Sequence, residues 1–498
     1  MVHMLVWIWC GRSSTGIVGT MSKRIASSKE VWEKDRRHHV HPFHNFASYD
    51  QEGSLIMDKG HGAYIHDIDG KEYFDAVGGM WCTNIGLGRQ EMADAIAEQV
   101  VDLAYANPFT DMSNQPAAEL SAKLAELAPG DLNHVFFTCG GSTANDGAFR
   151  IIQMYQAARG KKSKKHIICR KDAYHGTTYL AASLSGKAGD RTPEFNYIED
   201  IMHHLTSPNY YRAPEGMSEA QFCDFLVDEM EALINELGAD NIAMFYAEPI
   251  LGSGGVIVPP EGYNRRTWEL CKKHDIIYVA DEVVTGFGRL GHWFVSQDMF
   301  DVQPDIICCA KGLTSGYLPL GACIFSDRIY DVLKNDEDRW FTGGYTYSGH
   351  PVSCAAALKN IEIMERENIF DNVIEVGEYF EEQLRTLLDL PIVGDIRGRR
   401  FMMCVVNVMN KETKEFFPPS VNIGKRISNH CEELGVIVRP AADLNIMSPP
   451  LTMTKEDVDF LIPRLRQAIE ATMADLQAEG LLDVDTITEA PRVNPRSI

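Results

Sequence analysis

Residues 278–289 read Y-V-A-D-E-V-V-T-G-F-G-R, and residues 304–313 read P-D-I-I-C-C-A-K-G-L. Ile276, Ile277, Tyr278, Val279 and Ala280 form a continuous apolar run that stops at Asp281. Ile306, Ile307, Cys308, Cys309 and Ala310 form a second run that stops at Lys311. Short, unalternating apolar runs bounded by turns predict strands buried on both faces. In an open α/β sheet, ligands gather beyond the carboxyl ends of the strands. One carboxylate and one amine are therefore delivered to the same rim of one sheet from nearby strands.

That pairing suits pyridoxal phosphate. The cofactor needs a lysine for its Schiff base and an acid that keeps its pyridine nitrogen protonated. A lysine desolvated at a strand end has a lowered pKa and serves as nucleophile and proton shuttle. A buried ion pair, or two unrelated strand-end charges, is the alternative reading of the pair taken alone.

The rest of the chain carries matching motifs. D-E-V-V-T-G-F-G-R followed by A-K-G-L resembles the signature of the class III, or omega, aminotransferases of pyridoxal-phosphate fold type I, and the motif order matches over residues 32–476. The resemblance implies that Asp281 holds the pyridine nitrogen, Val283 packs on the ring and Lys311 forms the Schiff base. Between the strand predicted over 134–138 and the helix after it lies C-G-G-S-T-A-N-D-G. Such a turn presents backbone N–H groups and a positive helix end to a phosphate. The resemblance places that role on Gly140, Gly141 and Ser142. Two positions depart from the usual pattern, Gly140 in place of Ser and Thr143 in place of Glu, and neither removes the amides.

The strand predicted over 166–170 leads into D-A-Y-H-G, where the resemblance makes Tyr174 the ring-stacking aromatic, followed by His175; an exposed loop tyrosine is the alternative. Glu248 ends the apolar run 243–248 and corresponds to the Glu that the family places beneath the cofactor. In T-Y-S-G-H-P, Thr346 corresponds to the residue that reaches the cofactor phosphate of the other subunit, with Tyr345 beside it. Gly343 stands where the family often has His. Trp81 and Phe109 fall where the family lines its substrate pocket with aromatics; a core tryptophan at the hairpin exit is the alternative for Trp81. Arg439, in R-P-A-A-D, corresponds to the arginine that pairs with a substrate carboxylate and swings aside for an amine lacking one. A structural salt bridge to Asp395 or Asp443 is the alternative.

The chain has 498 residues, enough for two or three domains with a substantial core. A net charge of −23 argues against nucleic acid or an anionic membrane as partner. Twelve scattered cysteines with no C-x-x-C pair suggest reduced thiols in a cytoplasmic protein. In residues 32–46, W-E-K-D-R-R-H-H-V-H-P-F-H-N-F, four histidines fall within seven residues. Pro42 breaks any helix there and no Cys or carboxylate cluster shares the spacing, so no metal is expected. The resemblance implies an N-terminal arm near the active site instead.

Residues 1–30 are expected to be a disordered or mis-called leader: 4–9 is apolar but too short to span a membrane, and no basic region precedes it. An arm and a hairpin around Asp69-Gly70 occupy 31–85 as part of a small domain. A large cofactor-binding domain occupies 86–350, a C-terminal small α/β domain 351–480 and a tail 481–498. Within these, 186–214 reads as a polar loop, 352–388 as one helical stretch, and 435–440 as a strand ending in arginine. The fold class is α/β: a large, doubly wound, mostly parallel sheet with a smaller α/β domain.

The resemblance implies a homodimer or tetramer with shared active sites, and transfer of an amino group from a primary amine or omega-amino acid to a keto acid. Pyruvate is favoured as acceptor, with 2-oxoglutarate open. Other class III chemistry, an aminomutase or a decarboxylase of dialkyl amino acids, is the alternative activity. A non-enzymatic regulator would need a DNA-binding domain, and the residues before Trp32 are too few and not basic enough for one.

Overall fold

The computed structural model describes residues 27–482. The expected leader lies outside them up to residue 26, and the expected tail from residue 483. The chain divides into two compact units. One takes residues up to 58 with 67–70; the other takes 59–66 and everything from 71 onward.

The first unit carries helices Ser28–His38 and Phe46–Glu52. Ser27 caps the first by accepting from the Glu30 amide at 3.2 Å, and Asn45 caps the second by accepting from Ala47 and Ser48. Such caps satisfy amides that a helix start leaves open. Pro42 lies between the two helices, where it cannot continue the first. Asp35 is the hub of this unit. Its carboxylate accepts from Tyr49 at 2.5 Å and from Ser54, and lies 3.0 Å from both His39 and His41. The sequence predicts no Cys or carboxylate cluster at this histidine spacing; the structure nonetheless brings Asp35, one helical turn before His39, within 3.0 Å of His39 and His41.

The second unit is built on a seven-stranded sheet. From one edge its strands are Leu132–Thr138, Gly321–Ser326, Ile306–Cys309, Ile277–Asp281, Ile242–Ala247, His166–Arg170 and Met202–Leu205. Gly321–Ser326 runs antiparallel to both neighbours, and the other pairings are parallel. The apolar runs at 277–280 and 306–309 are buried along their whole length, as unalternating strands of a parallel sheet are. Asp281 pairs with Cys308, so its strand and the one leading to Lys311 are immediate neighbours.

The crossover helices show why their residues are helical. Glu219–Leu237 starts with a Ser218 capping box and buries Phe222, Leu226, Met230 and Ile234, a four-residue repeat facing the sheet. Each such side chain contributes roughly 1.5–3 kcal/mol on burial. A second, antiparallel sheet joins Val393–Arg399, Met402–Asn407, Leu444–Met447 and Arg439–Ala441.

Three expectations are corrected. The stretch 352–388 is two helices, Pro351–Arg366 and Ile369–Arg385, interrupted where Asn368 turns left-handed (φ 51°). Asn tolerates that conformation through its short polar side chain. Residues 435–440 form two strands in two sheets: Val436–Ile437 runs parallel to Glu72–Asp75, and Arg439–Ala441 joins the antiparallel sheet. The polar stretch 186–214 holds the edge strand Met202–Leu205, whose two histidines hid its apolar ends.

Arg289 is the buried tie of this unit. Its guanidinium donates to Asn84 Oδ1 at 2.8 Å, to the Phe401 carbonyl at 3.3 Å and to the Pro449 carbonyl. Burial pushes its pKa down to about 10. Arg289→Met would leave three buried acceptors without this donor. We predict a destabilisation of about 3 kcal/mol, read as a lower unfolding midpoint; an unchanged midpoint contradicts the assignment.

Candidate active site

Asp281 ends its strand 4 % exposed. Its Oδ2 lies 2.7 Å from His175 Nδ1 and accepts from Asn145 Nδ2 at 2.9 Å, while Oδ1 accepts from the Val283 amide at 3.1 Å. The same Asn145 amide donates to the His175 carbonyl at 2.6 Å, and the Tyr246 hydroxyl donates to Asn145 Oδ1 at 3.0 Å. Backbone and side chain of His175 are therefore both fixed, with the Ser185 hydroxyl accepting from its amide at 2.8 Å. The carboxylate is held at one orientation at the rim.

Lys311 follows the neighbouring strand in the turn Lys311–Leu313, with a left-handed backbone (φ 43°). A non-glycine residue in that region is strained, and such strain clusters at functional sites. The turn is pinned by Asn360, whose side-chain amide donates to the carbonyls of Gly312 (2.9 Å) and Leu313 (3.1 Å). Gly312 admits no side chain, because a Cβ there would lie 2.3 Å from Asn84 Nδ2. Burial pushes the Lys311 ammonium pKa down to about 8, with Arg439 lowering it further against the opposing pull of Asp281, Glu248 and Cys82.

Glu248 is buried one strand over from Asp281, its carboxylate accepting from the Tyr174 amide at 2.9 Å and the Gly252 amide at 2.8 Å. Burial, with help from Asp281, raises its pKa. Those two bonds also fix the loop that carries Tyr174 over the rim.

Helix Gly141–Ala158 begins at Gly140 without a side-chain cap, and a Cβ at Gly140 would meet nothing within 4 Å. An uncapped start of a long helix beside open space is a place for an anion. The surrounding loops interlock at glycines. A Cβ on Gly141 would lie 2.8 Å from Val283 Cγ1, and one on Gly176 (φ 126°) would lie 2.2 Å from Ser142 Oγ. Ser142 Oγ accepts from the Thr177 amide at 3.2 Å. Amine, clamped acid, aromatic and open anion site thus converge. This donor set fits pyridoxal 5'-phosphate.

Arg439 reaches the same region from the antiparallel sheet. Its Nη2 donates to Ser253 Oγ at 3.4 Å, and among the described residues it makes no ion pair with Asp395 or Asp443. Burial lowers its pKa, opposed by Asp190 and Tyr174. Trp81 is buried at 2 % exposure, with a left-handed backbone (φ 65°), in a cluster with Ile250, Leu290 and Met402. Phe109 stands apart, 46 % exposed, its ring beside Gly344. Thr346 is exposed, and its carbonyl accepts from the Tyr105 hydroxyl at 3.0 Å. The Tyr345 hydroxyl donates to the Thr143 carbonyl at 3.2 Å.

Asn145 escaped the sequence reading. Its one signal is a polar residue on the buried face of the helix, one turn after Gly141. Cys82, which bears on the Lys311 charge, was missed as well.

The Lys311 amine is neutral above about pH 8 and charged below it. Only the neutral amine attacks a carbonyl, so capture of pyridoxal phosphate by cofactor-free protein should rise through pH 8 and then level off. A rate still climbing at pH 10, or capture surviving Lys311→Ala, contradicts this.

Comparison with known proteins gives consistent results. A model of the aminotransferase class-III family matches residues 46–469. The putrescine–pyruvate aminotransferase of Pseudomonas aeruginosa is 39% identical over 462 residues, covering 92% of this chain and 100% of the relative. An (S)-enantioselective omega-transaminase from Thermomicrobium roseum superposes with a TM-score of 0.88 at 39% identity, over 90% of this chain and 99% of the other. The omega transaminase of Pseudomonas jessenii in complex with PMP gives a TM-score of 0.87 at 34% identity, over 91% and 99%.

Proposed function

The chain belongs to the class III aminotransferases, pyridoxal-phosphate enzymes of fold type I, and from that membership we propose how its residues divide the work. The observation that carries the proposal is Asp281, clamped by His175 and Asn145, on the strand beside the one that delivers Lys311. Pyridoxal 5'-phosphate, when bound, supplies an electron sink for the bond broken at the amine-bearing carbon.

Lys311 Nζ would hold the cofactor and, when not engaged with it, would serve as the base that takes a proton from the donor carbon and the acid that returns it. Its lowered pKa suits both duties near neutral pH. Asp281 keeps a proton on the ring nitrogen, since a carboxylate so close favours the charged ring. Glu248 holds the Tyr174 loop through the bond it accepts from the Tyr174 amide. Tyr174 and Val283 would hold the cofactor ring between them, and the amides at Gly140, Gly141 and Ser142 would receive the phosphate.

Amine donor and keto acid acceptor alternate at this one site. We assign the acceptor as pyruvate, supported by likeness to a putrescine–pyruvate aminotransferase. Arg439 orients the acceptor carboxylate; a guanidinium does this with two parallel bonds where a lysine offers a point charge. Its weak hold on Ser253 leaves it free to turn away from an amine donor that lacks a carboxylate. Trp81 is assigned to the donor side on the resemblance alone, since its ring packs in a cluster with Ile250, Leu290 and Met402.

Phe109, Tyr345 and Thr346 are assigned to a homodimer in which each subunit completes its partner's site. The support is an exposed apolar face carrying Tyr105, Phe109, Met112, Trp340, Phe341 and Tyr347 beside Thr346. Surfaces of that kind mark protein interfaces. Cytoplasmic residence is proposed from the free cysteines, eleven among the described residues. No helix among them is long and apolar enough to cross a membrane.

A half-reaction tests the reading. Amines are added to cofactor-loaded enzyme without keto acid, and the visible absorbance band of the bound cofactor is followed. An amine should bleach the band and pyruvate should restore it; 2-oxoglutarate restoring it better would reassign the acceptor. No bleaching by any amine contradicts the proposal. Arg439→Ala should weaken restoration by keto acid at least about tenfold and leave bleaching by simple amines little changed. Equal losses would make Arg439 structural.

A further inference from the structure

The hairpin that opens the second unit carries a cluster unrelated to the chemistry above. Strand Met57–His61 ends in His61, and Tyr64–Asp67 pairs antiparallel with Glu72–Asp75 so that His66 lies directly opposite Glu72. Residues paired across strands present their side chains on one face of the sheet. His66 Nε2 lies 3.0 Å from Glu72 Oε2, and His61 Nε2 lies 3.9 Å from the same oxygen. The two imidazole rings stand 5.3 Å apart, tilted by 32°. All three ligand atoms fall within 4.8 Å of one another. His61 and Glu72 are more than half exposed and His66 a quarter, so an ion reaches them from solvent.

We propose that His61, His66 and Glu72 form a binding site for a borderline divalent cation of the zinc class. Two imidazole nitrogens and one carboxylate oxygen are the ligand types such an ion selects, at about 2.0–2.2 Å each. Ligands bound at those distances sit about 3.3 Å apart around a tetrahedral ion. The observed spacings of 3.0 and 3.9 Å bracket that separation, and small rotations suffice to close it. His61 also lines a cleft of about 470 Å³ with Tyr64 and Arg89, so there is room beside it for water as a further ligand. The Tyr64 ring stacks on His61 at 5.8 Å and 19°, which limits how far that imidazole turns away.

Affinity is set by what stands behind the ligands. His66 Nδ1 is buried without a hydrogen-bond partner. Metal-bound histidines usually donate that second N–H to an oxygen, and losing such a partner costs 10- to 100-fold. A micromolar, exchangeable site follows, weaker than a buried structural zinc.

A second group, Asp35 with His39 and His41, also meets the distance condition. There the carboxylate already accepts from Tyr49 and Ser54, and an ion would have to displace those bonds. Glu72 carries no such load: its close contacts are the two imidazoles. The hairpin is therefore the better site.

Zinc titration of tag-free holoenzyme by calorimetry tests the proposal, with His66→Ala, Glu72→Gln and His39→Ala in parallel. One equivalent per subunit at micromolar affinity is expected. Binding should weaken at least about tenfold in His66→Ala and in Glu72→Gln, and stay unchanged in His39→Ala. Retained cofactor absorbance and unfolding midpoint show that each variant is folded, and Glu72→Gln, which keeps the side chain's shape, carries the test if His66→Ala is not. No saturable binding, equal binding in all four proteins, or loss in His39→Ala alone overturns the proposal.

Discussion

The site depends on a single buried contact, the pair between Asp281 Oδ2 and His175 Nδ1 at 2.7 Å. It joins residues 106 apart in sequence and brings together two loops that would otherwise be positioned separately. Asn145 makes the contact rigid by bonding both the Asp281 carboxylate and the His175 carbonyl. A carboxylate oriented this way has spent one oxygen on the protein. Among the described residues the other accepts from the Val283 amide alone, which leaves it to act at the rim.

Two buried strand-end carboxylates and one part-buried amine share this rim, and their charges cannot be set independently. Glu248 responds to burial and to Asp281 with a raised pKa, and Lys311 responds to burial with a lowered one. Both shifts favour the uncharged form of the group in a place where unpaired charge is costly. The left-handed turn at Lys311 and the glycine contacts at Gly141 and Gly176 are the steric counterpart, allowing the loops to approach more closely than side chains permit. The hairpin cluster lies outside this network and makes a separate use of the fold, cross-strand pairing in place of strand ends.

Asp281, Lys311 and Glu248 were legible because each terminates an apolar run, a purely local pattern whose consequence is fixed by sheet geometry. The glycine turn at 140–142 was legible for a similar reason, since a strand, glycines and a helix follow in order. Asn145 was not, because nothing adjacent in sequence marks an interior helical asparagine as a bridge to a histidine thirty residues on. The split of 435–440 between two sheets was hidden too: one apolar run serves either sheet, and only packing decides where it changes partners. Asn368 ended a helix without glycine or proline, the punctuation on which a sequence reading relies. Asp35 was overlooked because it lies one helical turn before the histidines and was not read as part of their group.

The central claim is that the clamped carboxylate of Asp281 does electrostatic work on the cofactor beyond filling space. The rate of the amine half-reaction in Asp281→Asn, measured on protein shown by absorbance to retain the cofactor, tests it most directly. Asparagine keeps the shape and can still bond to Asn145 and His175, but it carries no charge. The account predicts a slowing of at least about 100-fold. A rate within a few-fold of the unaltered enzyme would contradict it, and would leave Asp281 as a spacer between two loops.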